Sequence, residues 1–255
     1  MDGKRGVVLA VAVAPANHME GSSALAAIAE AVANLGKSPQ VVCADSAYAS
    51  GANAAGCEAR GIRLVSPPRR PRNHHSRGYL SVEQFSYDEV KDEFVCPAGE
   101  VLRNVGRFAD RQDRRKYRGS QAVCQRCVLR PQCTSGVQRC LNVSVHHGAL
   151  VRLRADSRTD SFRQLYRSRA PVMEGTFAEG KQWHGLRRAW RRGLSNMKVQ
   201  SLIVMTVLNL KRLATCSPLI PGLKWLWRRL QTLIERHLKL LGSFAEYSQL
   251  ITPYA

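Results

Sequence analysis

The residues of this chain best suited to chemistry lie between Asp160 and Leu186. That stretch, DSFRQLYRSRAPVMEGTFAEGKQWHGL, sets Tyr166, Arg169, Glu174 and Lys181 in one segment of helical character. At about 100° per residue, Glu174, Ala178 and Lys181 share one helix face, while Met173 and Phe177 offer an apolar face to a core. A carboxylate two turns from a lysine, with a tyrosine and an arginine upstream, suits a site that holds a metal ion and a phosphate backbone together. The competing reading is an ordinary amphipathic helix with solvated charges. Pro171 brings no amide N–H and predicts a start or a kink. Far upstream, Asp45 follows the short apolar run QVVCA at 40–44. It therefore stands at the carboxyl end of an expected strand, where ligands of α/β sheets gather. Taken by itself, Asp45 reads equally as a turn or helix-cap aspartate.

Sulfur forms a second constellation. Cys96 lies in FVCPAGEVL, which reads as a hairpin turning at Pro97 to Gly99, and Cys124, Cys127 and Cys133 lie in CQRCVLRPQC. A C-x-x-C pair, a third cysteine six residues on and a fourth donor on a hairpin suit tetrahedral Zn²⁺ held by thiolates. The rival reading is a degraded knuckle that no longer takes metal. Cys140 is an alternative ligand. Cys43, Cys57 and Cys216 sit in apolar contexts and read as small core residues.

These groups need elements to position them. Val7 to Val13 reads as a strand, and an alanine-rich helix runs from a cap at Ser22 or Ser23 to Gly36. Gln40 to Ala44 reads as a short buried strand, Ser50 opens a helix that Gly61 stops, and Ile62 to Ser66 is another strand. PPRRPRNHHSRG at 67–78 is a basic loop in which His74 and His75 are solvated. Asn196 to Leu213 is apolar nearly all round and is expected to be buried. Pro218 and Pro221 end that unit, and Gly222 to Leu241 reads as a basic amphipathic helix. The expected organisation is 1–66 and 151–214 as two parts of one core, 67–150 as linker and cysteine-rich insertion, and 215–255 as a C-terminal helix.

Composition bounds the partners. Lys and Arg number 39 against 19 acids, for a net charge of +20 and a pI of about 10.3. Such a field favours a polyanion, nucleic acid first. Between Arg152 and Arg192 eleven basic residues face four acids, with Trp183 and Trp190 interleaved, as on a surface that tracks a backbone and stacks bases. The most apolar run, Ser201 to Leu210, falls far short of the roughly 20 residues that span a bilayer, and the N-terminus has no secretory character. The expectation is a cytoplasmic, membrane-free protein.

ADSAY at 44–48, the cysteine insertion, and the series Tyr166, Arg169, Glu174, Lys181 together resemble the DDE transposases of bacterial insertion sequences, in particular a branch with a cysteine-rich insertion between its second and third acids. The likeness covers about Met1 to Ala214. It implies an α/β fold: an RNase H-like mixed sheet flanked by helices, with a small zinc-type cysteine insertion. It also implies Asp45 and Glu174 as the second and third acids around Mg²⁺ (or Mn²⁺), close together in space. Tyr166, Arg169 and Lys181 match signature residues that contact DNA near the cut end, so DNA, as element ends and target, is the implied partner. The family's first acid lies on a strand before the one that Val7–Val13 resembles, and Asp2 falls in the intervening turn. The resemblance therefore implies an N-terminally truncated core, inactive by itself, with an open sheet edge that favours a homodimer. The alternative is a non-catalytic, zinc-stabilised DNA-binding protein, told apart by indifference to divalent metal.

Overall fold

The computed structural model describes residues 1–69, 78–107 and 113–216, with Arg229 and Thr232 beyond them. The linker residues 70–77, with His74 and His75, and nearly all of the expected C-terminal helix lie outside the described residues. The chain divides into two compact units. One comprises 19–25 and 37–167; the other comprises 1–18, 26–36 and the chain from Ser168 onward.

In the first unit, β1 (Val41–Cys43) and β2 (Arg63–Val65) pair in parallel, Val41 opposite Arg63 and Cys43 opposite Val65. Helix α2 (Gly51–Glu58) lies between them in sequence. It starts where Ser50 Oγ accepts the Asn53 N–H at 3.1 Å, and the chain turns out of it at Gly61 (φ 65°). Both signals are local, which is why the sequence carries them. β1 is less buried than expected, since Val41 is 37% exposed. The larger sheet is antiparallel in the order β3 (Ser86–Asp88), β4 (Glu93–Val95), β5 (Val101–Arg107), β6 (Arg114–Arg118), β7 (Cys140–Ser144). Its buried face is built by Phe94, Leu102, Tyr117, Leu141 and Val143, with Phe85 beside them. Leu141 and Val143 show the two-residue alternation of a one-sided sheet. The molecule is thus mixed α/β, compatible with the expected fold class; among the described residues the core segment 1–66 supplies only the parallel pair, and the antiparallel sheet lies in the segment expected as linker and insertion.

Asp92 organises this sheet. It turns from β3 to β4 with φ 51° and accepts hydrogen bonds from Tyr87 Oη (2.9 Å), Tyr117 Oη (2.5 Å), Asn104 Nδ2 (2.6 Å) and Arg115 Nη1 (2.9 Å). Burial alone would raise its pKa; those donors outweigh it and hold the carboxyl below the usual range.

Next to it, His147 opens α5 (His147–Asp156), with its ring edge-on to Tyr87 at 5.0 Å and 5.1 Å from Phe94. Burial, reinforced by the Arg154 charge, lowers its pKa to about 4. An unfolded histidine titrates near about 6.5, so the folded state refuses a proton that the unfolded state takes. Stability from this group is therefore full above about pH 6.5 and is lost as pH falls towards about 4, by roughly 3 kcal/mol in all. Denaturant melts across that window should show the loss, and His147→Phe should flatten it; an unchanged acid slope would remove His147 as the cause.

In the second unit, α1 (Ala24–Leu35), whose first two residues belong to the other unit, ends at Gly36, whose φ of 68° closes the helix with an N–H to Val32 O. Residues 7–13 do not form a strand. Their backbone is held instead by asparagine side chains: Val8 N–H donates to Asn209 Oδ1 (2.7 Å), Asn209 Nδ2 returns a bond to Val8 O (2.8 Å), and Asn34 Nδ2 donates to Leu9 O (2.7 Å). An apolar, β-branched run signals burial as readily as strand, and here Val8 and Val11 pack on Val204, Met205 and Leu208. Those three belong to α7 (Leu194–Cys216), which is not buried all round: Val199, Leu202, Ile203, Leu210 and Leu213 are exposed on the opposite side.

Candidate nucleic-acid and metal-binding residues

Helix α6 (Asp160–Trp183) carries Tyr166, Arg169, Glu174 and Lys181, and it contains Pro171 without a break. The buried side of α6 is Phe162, Thr176 and Gly180. Phe177, expected towards a core, is 45% exposed, because the apolar stripe is rotated onto Thr176, whose Oγ1 donates to Val172 O and accepts from Arg212 Nη2. Glu174 and Lys181 are both exposed, and helical geometry places Arg163 and Arg167 within about 40° of them on the same face. Arg169 falls on the other side and is half-buried, as Tyr166 is, and neither side chain is free within the protein. The four signature residues therefore do not share one face. Arg163 pairs with Asp160 at 2.8 Å.

At the start of α6 in the first unit, a cavity of about 320 Å³ opens beside Pro67 and Pro68, where β2 leads out, and is lined further by Phe162, Arg163, Tyr166 and Arg167. Two guanidinium groups and a phenol in one cleft suit a phosphate and an adjoining ring.

Asp45 follows β1 and caps the 3-10 turn Ser46–Tyr48, its Oδ1 accepting the Ala47 N–H at 2.8 Å. Its carbonyl accepts from Ser66 Oγ at 2.5 Å, so β2 helps to hold the turn. The cap aspartate anticipated as the plain alternative is thus present, and it leaves Oδ2 outside that bond. Asp45 belongs to the first unit and Glu174 to the second. As donors both are hard oxygens of the kind that suit Mg²⁺. Among the described residues, however, no three of His, Cys, Asp or Glu are gathered to hold a metal ion.

The cysteines sit where their local motifs put them. Cys96 ends the β4 side of a hairpin closed by its own N–H to Glu100 O (2.8 Å) and by Gly99 at φ 82°. Cys124 lies in α3 (Gln121–Arg126), Cys127 ends it, and Cys133 ends α4 (Arg130–Cys133). Burial raises the Cys133 thiol against the pull of Arg139, and Cys124, Cys96 and Cys127 all raise it further. The other three thiols thus lie within electrostatic reach of Cys133, but among the described residues the four are not gathered as a metal site. Cys140 is exposed at the start of β7, and Cys57 is the buried core residue anticipated.

Several residues that the sequence did not single out matter here. Glu179 gathers Lys211, Arg212 Nη2 (3.7 Å) and His184 (3.8 Å). Gln200, only 2% exposed, ties the loop after α6. An i, i+7 reading of α6 could have found Arg167, while nothing local marks Gln200.

Residues 95–214 match the family described as the transposase DDE domain, just under half of the chain. The match takes in the four cysteines, Tyr166, Arg169, Glu174 and Lys181, and leaves Asp45 outside. No curated protein and no solved structure matches the chain. No described helix is long and apolar enough to cross a membrane.

Proposed function

We propose that this chain, whose residues 95–214 match the transposase DDE domain, works in DNA transposition, binding element ends and target DNA and contributing Asp45 and Glu174 to strand cleavage and joining. The observation that carries this reading is the family match over α6, on whose exposed face Glu174 lies among Arg163, Arg167 and Lys181. A divalent cation, Mg²⁺ or Mn²⁺, supplies activation of the attacking oxygen and relief of the leaving one when bound; Asp45 and Glu174 are the residues assigned to hold it. Lys181 and Arg167 neutralise phosphate, the lysine as a point charge and the arginine as a two-toothed donor. Tyr166 orients the DNA end from the cleft beside Pro67, and Arg169 supports α6 from its half-buried side. Only two acids are assigned, whereas the reaction wants a third carboxylate, so joining by this chain alone is not expected. The test is strand transfer on element-end DNA with Mn²⁺, run on this chain and on a longer one that includes a third acid. Product formed equally with and without divalent metal would sink the reading, and tight metal-indifferent binding with no product in either form would favour a DNA-binding protein without catalysis.

The same reading assigns Cys96, Cys124, Cys127 and Cys133 to a structural Zn²⁺, which would need the four sulfurs at about 2.3 Å from one centre. Its support is the C-x-x-C spacing of Cys124 and Cys127, with Cys133 six residues on and Cys96 on a hairpin. Protein purified without chelator should carry about one zinc per chain, and Cys124→Ser should lose it together with thermal stability. Metal analysis finding none leaves the module as a vestige.

A further inference from the structure

The segment between α6 and α7 reads LRRAWRRG from Leu186 to Gly193: four arginines around one tryptophan and no acid. A basic loop of this kind is usually loose, and this one is fastened from beneath. Gln200 of α7, 2% exposed, donates from Nε2 to Gly185 O (2.7 Å) and Arg188 O (2.7 Å), and accepts the Trp190 N–H on Oε1 (2.9 Å). One turn earlier, Asn196 Nδ2 donates to Arg192 O (2.7 Å). Leu186 packs on Val204 and Leu208 and anchors the entry, its N–H reaching Gly180 O at 3.0 Å. Gly185, at φ 73°, lets the Trp190 ring lie against its backbone: a Cβ there would stand 3.1 Å from Nε1. The ring nevertheless stays 60% exposed, and Arg187, Arg188, Arg191 and Arg192 are exposed around it.

From this geometry we infer that residues 185–193 form a preorganised site for single-stranded DNA, in which an unpaired base stacks on Trp190 and the flanking arginines take its phosphates. The inference rests on the DNA-binding reading above and adds the form of DNA and a place for it. Three bonds from one buried amide fix the loop before any ligand arrives, so little ordering entropy opposes binding. A planar ring that Gly185 meets along its Nε1–Cζ2 edge and that stays largely exposed offers a base its π surface, whatever the sequence. The guanidinium groups add sequence-independent affinity. Gln200 itself reaches no DNA; it is a positioning residue.

The test is fluorescence anisotropy with labelled oligo(dT) and a duplex of equal length. Trp190→Ala should weaken oligo(dT) binding by about 5- to 150-fold and leave duplex binding nearly unchanged, while Trp190→Phe, which keeps a ring, should retain most of it. Gln200→Leu should reduce the preference for single strand over duplex, a ratio that loss of stability alone does not move. Unchanged oligo(dT) binding in Trp190→Ala, or equal loss in Trp190→Phe, overturns the site while leaving DNA binding elsewhere intact. A wild-type chain that binds no DNA of either form overturns the site and the transposition reading together.

Discussion

Replacing either Asp45 or Glu174 by alanine should reduce strand transfer by about a thousandfold or more in a polypeptide that carries this chain together with a third acid. A bound divalent metal of the kind proposed would stabilise charge on the reacting oxygens by several kcal/mol, and each 1.36 kcal/mol is about tenfold in rate. If the two carboxylates serve one centre, as proposed, the double variant should be hardly slower than either single one. DNA binding, measured separately, should survive all three substitutions, because neither acid is assigned a phosphate. Equal independent losses that multiply in the double variant would show that the two residues do not serve one centre. A second outcome bears on the chain alone: joining by it in Mn²⁺, abolished by Asp45→Ala, would mean that its own residues already supply the third carboxylate.

Binding to duplex DNA should collapse with salt. The chain carries +20, and Arg158, Arg167, Lys181, Arg187, Arg188, Arg191 and Arg192 make no ion pair among the described residues. A protein that neutralises six to ten phosphates loses about 10³- to 10⁵-fold in affinity between roughly 50 and 200 mM salt. Arg167→Gln with Lys181→Gln should flatten the log–log slope by about two, close to 0.9 for each lost contact. Arg169→Gln should change the slope less and the thermal midpoint more, since that side chain is half-buried and already engaged. An unaltered slope in the double variant would move the duplex contacts off α6. Arg152 serves as a control, because Glu58 (2.7 Å) and Glu89 (2.5 Å) already hold its guanidinium.

Short-range signals in the sequence determined a good part of this protein. Ser50 capping α2, the glycine stops at 36 and 61, and the hairpin at Cys96 all rest on interactions within a few residues, and the apolar runs at β1 and β2 flank that helix as expected. ADSAY at 44–48, the cysteine insertion and the series Tyr166, Arg169, Glu174, Lys181 together suggest the DDE transposases; the match over 95–214 agrees with that resemblance and leaves ADSAY outside. Tertiary structure decided what depends on partners distant in the chain. Residues 7–13 make no strand because Asn209, 201 positions from Val8, takes up their hydrogen-bonding groups. Phe177 is exposed and Thr176 buried where Arg212 of α7 reaches it, and the helical period alone does not say which of two adjacent stripes meets a neighbour. The outer side of α7 stayed exposed because a helix apolar all round reports affinity for a core but not how much core there is. Gln200 shows the limit most sharply: a polar residue in an apolar helix reads as a blemish, and only the folded loop supplies the two carbonyls and the N–H that make its burial favourable.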